Sequence, residues 1–237
     1  MRFRLSFCIF SCFIIIHLLF TASINNAETN DAGEFTIDHI IPHIGGRYSY
    51  TSFLNNSHYY DFVTDWQEPA PGIYRQTHNN KDGSQDYAIY QVNEDTIVGS
   101  ESGFALANGE GSIEKTIAGT NFVFQRQSPG GIWVSQYKTI DSYNNITEYK
   151  CACQYMGLEK INILGQDVQA AKVIWEKECT AARQSLYSEW GPAPFFSKGE
   201  DWYVEGMGLV KRTCRISYED SQELSCVVLL TEILAGE

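Results

Sequence analysis

The sequence has little basic charge. It carries 17 Lys and Arg residues against 29 Asp and Glu residues, which gives a formal net charge of −12. No cluster of Lys and Arg offsets this acidic excess, so a phosphate backbone or an anionic membrane surface would be repelled. We therefore expect no nucleic-acid partner.

The sequence also has almost no helical periodicity. Apolar residues alternate with polar ones in runs rich in Tyr, Phe, Val, Ile, Thr and Trp, separated by clusters of Gly, Asn, Asp and Pro. We predict an all-β single domain over residues 28–237, built as a curled antiparallel meander sheet that forms a half-barrel or a partly closed barrel. Fourteen strands are predicted, among them the separate strands Ser112–Ile117 and Phe122–Gln127, and the separate strands Ile146–Tyr155 and Glu159–Leu164.

The N-terminal residues have the pattern of a secretory signal. Arg2 and Arg4 precede an apolar run, Leu5–Phe20, and small residues follow. We predict a signal peptide over residues 1–23, with cleavage as late as residue 27. The apolar run is shorter than the roughly 20 residues of a spanning helix, which favours a cleaved signal over an anchor. Cys12 lies inside the run, which does not favour lipidation. The mature protein would be periplasmic or secreted, not membrane-spanning, with a net charge of −14.

Five cysteines follow the predicted signal peptide, and an oxidising compartment favours disulfides between them. In the last predicted hairpin, one register sets Ile216 opposite Leu224 and buries a consistent apolar face that includes Val210 and Leu230. The same register sets Cys214 opposite Cys226. We therefore predict a Cys214–Cys226 disulfide.

A second disulfide is predicted from the preceding hairpin. If its turn is centred on Gln166, Cys153 lies opposite Cys179. A Cys151–Cys179 bond is the alternative. In the first case Cys151 is the odd thiol, either free or paired between chains.

The familiar catalytic and metal-binding motifs are missing. No Gly-x-Ser-x-Gly occurs, because the similar "GSESG" has Glu101 at its centre. The "HIIPH" segment contains Pro42 and lacks a zinc-protease glutamate, and "HNNKDGSQD" has Ile89 where a calcium loop needs glutamate. Cys151-x-Cys153 could be redox-active or half of a metal site, but no second such pair accompanies it. We predict no catalytic residue, no cofactor and no metal.

Aromatic residues are abundant and include Trp66, Trp133, Trp175, Trp190 and Trp202. In a β-protein such residues usually form the core, and they can also line a cavity or platform for a ligand. The candidate ligand contacts are Arg212, Trp202 and Tyr203. Arg212 falls on the otherwise apolar face of the last hairpin, so it either extends to solvent at the sheet rim or forms an internal cation for an acidic ligand group.

Three segments resemble a family of exported bacterial β-proteins of unknown function, the TapB-like group of periplasmic proteins and lipoproteins. They are "IIPHIGGRYSY" (Ile40–Tyr50), "CQYMGLEKINILGQDVQAAKVIWE" (Cys153–Glu176) and "DWYVEGMGLVKRTC" (Asp201–Cys214). The resemblance implies a curled antiparallel sheet in the cell envelope and carries no catalytic residue. Its turn glycines correspond to Gly206 and Gly208, where positive φ is expected.

These observations favour a non-enzymatic exported protein of a Gram-negative envelope, or a secreted relative, that binds a lipid, a glycan or a peptide. Two alternatives stay open. The abundant carboxylates could form a dispersed hydrolase site, or an envelope assembly factor could use a free sheet edge to bind partners.

Overall fold

The chain forms a β-barrel. The computed structural model describes residues 33–42, 46–183, 194–218 and 223–234. One short helix, α1 (Ile37–Ile40), precedes twelve strands: β1 (Arg47–Leu54), β2 (Ser57–Ala70), β3 (Ile73–Asn80), β4 (Gln85–Val92), β5 (Thr96–Ala105), β6 (Gly111–Gln125), β7 (Ile132–Asp141), β8 (Ile146–Ile163), β9 (Gln166–Arg183), β10 (Phe195–Val204), β11 (Gly208–Tyr218) and β12 (Glu223–Leu234). The predicted signal peptide lies outside the described residues.

The sheet closes on itself. Each strand pairs antiparallel with the next, and β1 also pairs with β12, from Arg47 opposite Leu234 to Leu54 opposite Cys226. The predicted single antiparallel sheet is confirmed, but the half-barrel or partly closed barrel is wrong. None of the twelve described strands is left as an open edge, because the β1–β12 ladder pairs the two strands that would otherwise be edges. The partner-binding edge of the assembly-factor alternative is therefore absent from these strands.

Two of the predicted strand breaks do not occur. β6 continues through Gly119 and β8 continues through Gly157, where φ is +74° and +105°. Each glycine adjoins a register shift, so the chain bends at a bulge and pairing resumes beyond it. A Cβ at Gly119 would lie 2.1 Å from the Gln136 carbonyl oxygen, so this close approach requires glycine.

Alternate side chains fill the barrel interior. In β7, Trp133, Ser135, Tyr137 and Thr139 are buried, while the intervening side chains are exposed. This period of two is the pattern from which the strands are predicted. Among the described residues, no helix is long and apolar enough to cross a membrane.

The segment before β1 packs against one end of the barrel core. Phe35 is fully buried and pairs through its backbone with Gln127. Its ring lies 5.0 Å from the rings of Phe124 and Tyr155, measured between centroids. The Tyr155 hydroxyl donates to the Gly33 carbonyl oxygen at 2.8 Å. This segment therefore closes that end with aromatic side chains.

The turn between β10 and β11 contacts the same segment. The Gly206 amide donates to the Asp38 carbonyl oxygen at 2.8 Å. Gly206 and Gly208 have φ of +75° and +74°, as the family resemblance implies. At Gly208 a Cβ would lie 3.0 Å from the Ile40 carbonyl oxygen, so both conformation and contact favour glycine there.

The register of the last hairpin is as predicted. Ile216 lies opposite Leu224, and Cys214 lies opposite Cys226. The two sulfurs are not bonded in the structure. Interaction between the two neighbouring thiols raises the pKa of Cys214 and lowers that of Cys226. The Cys214–Cys226 disulfide therefore stays a prediction, with its partners in position.

The register predicted for the β8–β9 hairpin is wrong. Its turn is Leu164–Gly165, where both residues have positive φ, and not a loop centred on Gln166. Together with the Gly157 bulge, this turn sets Cys153 opposite Trp175 and Cys179 opposite Tyr149. Cys153 and Cys179 are then four positions out of register, roughly 13 Å along the strands.

That spacing corrects both predicted pairings in this hairpin. Two cysteines joined by a disulfide have Cα atoms at most about 7 Å apart, so the Cys153–Cys179 bond is excluded. The alternative partner, Cys151, lies opposite Lys177 and is only diagonal to Cys179. Diagonal neighbours are about 7–8 Å apart, too far for a bond without backbone movement.

We expect Cys214 and Cys226 to be oxidised in the exported protein. Exchange with a small disulfide would form the bond, and the two electrons and two protons would pass to that oxidant. Closing this short loop should stabilise the fold by about 2–3 kcal/mol, so Cys214→Ser should lower the melting temperature by roughly 5–10 °C. Wild-type protein in dithiothreitol should melt at the lower temperature too, and the variant should not respond to the reductant. Alkylation of Cys214 in non-reduced peptide maps of the exported protein would contradict the prediction.

Candidate functional site

The barrel encloses a cavity of about 550 Å³. Interior side chains of β1–β4 and of β9–β12 form most of its lining, and these two runs of strands are continuous through the β1–β12 ladder. Ile40 of α1 and Met207 of the β10–β11 turn also line it, so the cavity reaches the end of the barrel that the N-terminal segment packs against. The lining residues include Tyr50, Ser52, Phe62, Thr64, Trp66, Gln76, His78, Tyr90, Trp175, Tyr203 and Arg212.

Aromatic rings form much of the cavity lining on β1–β4. Tyr50 and Phe62 are stacked with ring centroids 5.2 Å apart, and Trp66 and Tyr90 are stacked at 5.7 Å. Each of these rings lines the cavity and therefore stands on the interior face of its strand. Directly opposed residues on adjacent strands share a face, which places Tyr50 beside Phe62. These stacked pairs give the cavity flat apolar surfaces.

A charged pair lies on β10 and β11. Arg212 and Asp201 are register partners on β11 and β10. Arg212 donates from Nε to Asp201 Oδ1 at 2.8 Å and from Nη2 to Oδ2 at 2.6 Å, and the Tyr203 hydroxyl donates to Oδ2 at 2.8 Å. Burial alone would lower the pKa of Arg212, but the Asp201 carboxylate raises it above its ordinary value. The pair is therefore ionised and has no net charge.

Trp175 on β9 supports this pair. The guanidinium carbon of Arg212 lies 5.6 Å from the Trp175 ring centroid. The indole lies across Gly199, where a Cβ would be 2.8 Å from Trp175 Cζ2 and 2.3 Å from the Thr213 carbonyl oxygen. The missing side chain at Gly199 therefore leaves the space that the Trp175 ring occupies.

The three candidate ligand contacts have different positions. Arg212 and Tyr203 line the cavity, whereas Trp202 does not. Trp202 lies opposite Lys172 and Lys211, whose ammonium groups are 5.0 and 4.4 Å from its ring. The Arg212 side chain is 38% exposed, and this exposed surface faces the cavity. Arg212 therefore does not extend to solvent at the sheet rim. Its charge is already matched by Asp201, so it is not a free cation for an acidic ligand.

His78 is an uncharged member of the site that sequence reasoning missed. Its Nδ1 shares a hydrogen bond of 2.7 Å with the Thr64 hydroxyl. Burial lowers the pKa of His78 to about 4; Asp86 opposes this change and Arg212 adds to it. The imidazole is therefore neutral near pH 7. In the sequence, Gln76, His78 and Asn80 are two positions apart and therefore lie on one face of β3. This alternation does not show whether that face is interior.

Several polar groups in the cavity keep unused hydrogen-bonding capacity. Gln76 accepts a hydrogen bond from the Tyr90 hydroxyl at 2.9 Å through its amide oxygen. Within the described part of the chain, no partner is found for the Gln76 amide nitrogen, the Ser52 hydroxyl or the second ring nitrogen of His78. The site thus combines aromatic surfaces, neutral hydrogen-bonding groups, one internally matched ion pair and the exposed carboxylate of Asp86, which accepts a hydrogen bond from the Asn80 amide.

Comparison with known proteins does not assign a family. No protein-family model matches the chain, and no curated protein matches it significantly. The TapB-like resemblance therefore stays a prediction.

Three solved structures are similar in outline. A protein from Parabacteroides distasonis named as a lipoprotein is 14% identical, covers 83% of this chain and 98% of its own, and has a TM-score of 0.47. An exported protein from Bacteroides fragilis with a YmcC-like fold is 10% identical, with 83% and 99% covered and a TM-score of 0.45. The lipoprotein YmcC from Escherichia coli is 13% identical, with 79% and 86% covered and a TM-score of 0.35. All three scores lie below 0.5, so the fold stands on this chain's own strand pairing.

Removal of the carboxylate from the internal ion pair should destabilise the barrel. Asp201→Asn leaves the Arg212 charge unmatched inside the protein, which costs about 3–5 kcal/mol at a fully buried pair. We expect about 2–3 kcal/mol, because part of the guanidinium faces the cavity. Urea unfolding at pH 7 measures the change. Glu223→Gln is the matched control, since Glu223 and Arg215 form an exposed pair and its loss should cost less than about 1 kcal/mol. Equal losses in the two variants would contradict this assignment.

Proposed function

We propose that this protein is a non-enzymatic exported binding protein that holds a small uncharged glycan inside the barrel. The observation that carries the proposal is the lining of the cavity. This lining combines stacked aromatic rings, neutral hydrogen-bonding groups and Arg212, whose charge is matched by Asp201. The predicted signal peptide supports export.

Charge favours an uncharged ligand. An anionic head group needs an unmatched cation, but Asp201 accepts two hydrogen bonds from Arg212 and neutralises it. His78 is neutral near pH 7. The acidic net charge of the chain would also repel an anion at long range. A fatty acid or a phospholipid therefore fits the site less well than a neutral molecule.

Hydrogen-bonding capacity favours a hydroxylated ligand over a hydrocarbon. A purely apolar occupant would bury the Ser52 hydroxyl and the Gln76 amide without partners, at a cost of about 1–3 kcal/mol for each group. Sugar hydroxyls can both donate to and accept from such groups. The apolar face of a sugar ring can pack on the flat surface formed by Trp66 and Tyr90.

The size of the cavity is consistent with this ligand class. Small-molecule sites in proteins span about 300–1,000 Å³, and the present cavity of about 550 Å³ falls within that range. We therefore infer a mono- or disaccharide-sized ligand.

Tryptophan fluorescence and calorimetry with an array of neutral mono- and disaccharides test the proposal, with dodecanoate as the lipid arm. We expect at least one sugar to bind and dodecanoate not to bind. Gln76→Ala should weaken sugar binding roughly 5–10-fold, since it removes one hydrogen bond. Gln136→Ala is the matched control, because Gln136 is exposed on the outer face of β7.

Three outcomes would contradict the proposal. Binding of dodecanoate alone would indicate a lipid carrier, and cleavage of a bound disaccharide would indicate the hydrolase alternative. Absence of binding across the whole array would show that the cavity does not serve as a glycan site.

A further inference from the structure

A second group of side chains lies inside the barrel on β8. Cys151 and Cys153 are two residues apart on one strand and therefore share its interior face, and their Sγ atoms are 3.8 Å apart. Cys153 is buried and Cys151 is half-buried. Neither residue lines the glycan cavity, so the thiol pair is a separate feature.

Strand geometry opposes a disulfide within this pair. Residues i and i+2 of an extended strand are about 6.6 Å apart and their Cβ atoms point the same way. A disulfide requires Cβ atoms that converge to about 4 Å, which this segment of β8 could reach only by bending. The two sulfurs are thus held close to each other as thiols, even where other cysteines are oxidised.

Two indoles with unpaired N–H groups flank Cys153. Trp133 on β7 and Trp175 on β9 are its direct neighbours across the sheet. The Nε1 atom of each is buried, and among the described residues neither has a hydrogen-bond partner. Buried donors are normally satisfied, so these two indoles are unused hydrogen-bond donors on the residues that flank Cys153.

Lys177 lies opposite Cys151 on β9 and supplies a positive charge. Its ammonium nitrogen is 4.4 Å from the centroid of the Tyr149 ring, and no ion pair to it is found in the described part of the barrel. The Lys177 ammonium can therefore offset negative charge that develops at Cys151.

The donor set determines which ion could bind. Across the described residues, no group of three or more His, Cys, Asp or Glu side chains is placed to hold a metal. Zinc takes four ligands in structural sites and so does not suit this pair. Soft monovalent ions accept thiolate ligands. If such an ion lies on the line between two sulfurs, with metal–sulfur bonds of about 2.3 Å, the sulfurs are roughly 4–5 Å apart.

We propose that Cys151 and Cys153 form a two-coordinate dithiolate site for one soft monovalent ion, Cu(I) or its analogue Ag(I). Binding forms two sulfur–metal bonds and releases the two thiol protons to solvent, with no change in oxidation state. The bound group carries one negative charge, on two residues whose cross-strand neighbours are Lys177, Trp133 and Trp175.

Anaerobic titration of the full-length mature protein tests the site. The probes are Ag(I) and Cu(I), with bicinchoninate competing for Cu(I). In protein whose Cys214–Cys226 bond is formed, we expect one equivalent to bind with release of protons and with quenching of tryptophan emission, since two indoles adjoin Cys153. Cys151→Ser and Cys153→Ser should each weaken binding at least 100-fold. Cys179→Ser is the matched control and should bind like the wild type, because Cys179 lies opposite Tyr149.

Zinc binding to the wild-type protein provides a second test that does not depend on the folding of a serine variant. Zn(II) should not bind to the wild-type protein at concentrations that saturate with Ag(I). Stoichiometric zinc, an unchanged Ag(I) affinity in both serine variants, or a Cys151–Cys153 disulfide in peptide maps of the exported protein would each overturn the proposal. A failure here would leave the glycan proposal intact, because the two sites share no donor atom.

Discussion

The ladder between β1 and β12 is the constraint on which the rest of the structure depends. Twelve antiparallel strands with two open edges would expose unpaired backbone groups along both edge strands. Pairing of the first strand with the last removes both edges and turns one face of every strand inward. The enclosed space, its aromatic walls and its internal charges all follow from that closure.

Closure also sets the electrostatics of the interior. An ion inside the barrel needs a partner, and the register of β10 and β11 provides one by placing Asp201 opposite Arg212. Gly199 makes room for the Trp175 indole beside this pair. On β8 and β9, the same alternation brings Cys151 and Cys153 to the inner face with Lys177 opposite. One barrel therefore holds an aromatic-lined cavity and a separate thiol pair.

Much of the fold was predictable because period-two alternation depends on local sequence alone. The all-β class, the meander order and the last hairpin register follow from it, since an odd shift there would set Ile216 and Leu224 against polar residues. The β8–β9 register was not predictable in the same way. Its turn uses Leu164 in a left-handed conformation, for which leucine gives no signal, and the Gly157 bulge shifts the pairing once more.

Closure and the site were harder to predict because they depend on long-range contacts. Nothing in the local pattern of Arg47–Leu54 shows that its partner is the last strand. The sequence predicts that Arg212 either extends to solvent at the sheet rim or forms an internal cation. Its partner Asp201 lies on another strand and becomes evident only from the β10–β11 register. His78 and Gln76 read as ordinary alternation, since a single sequence does not show which face of β3 is interior.

Amide hydrogen exchange of the native protein tests barrel closure most directly. If β1 and β12 are paired, amides that join the two strands around Tyr50 and Leu230 should be protected to the same extent as those in the long β8–β9 hairpin. Exchange of either strand at the rate of an open sheet edge, orders of magnitude faster than β8–β9, would show that the barrel does not close.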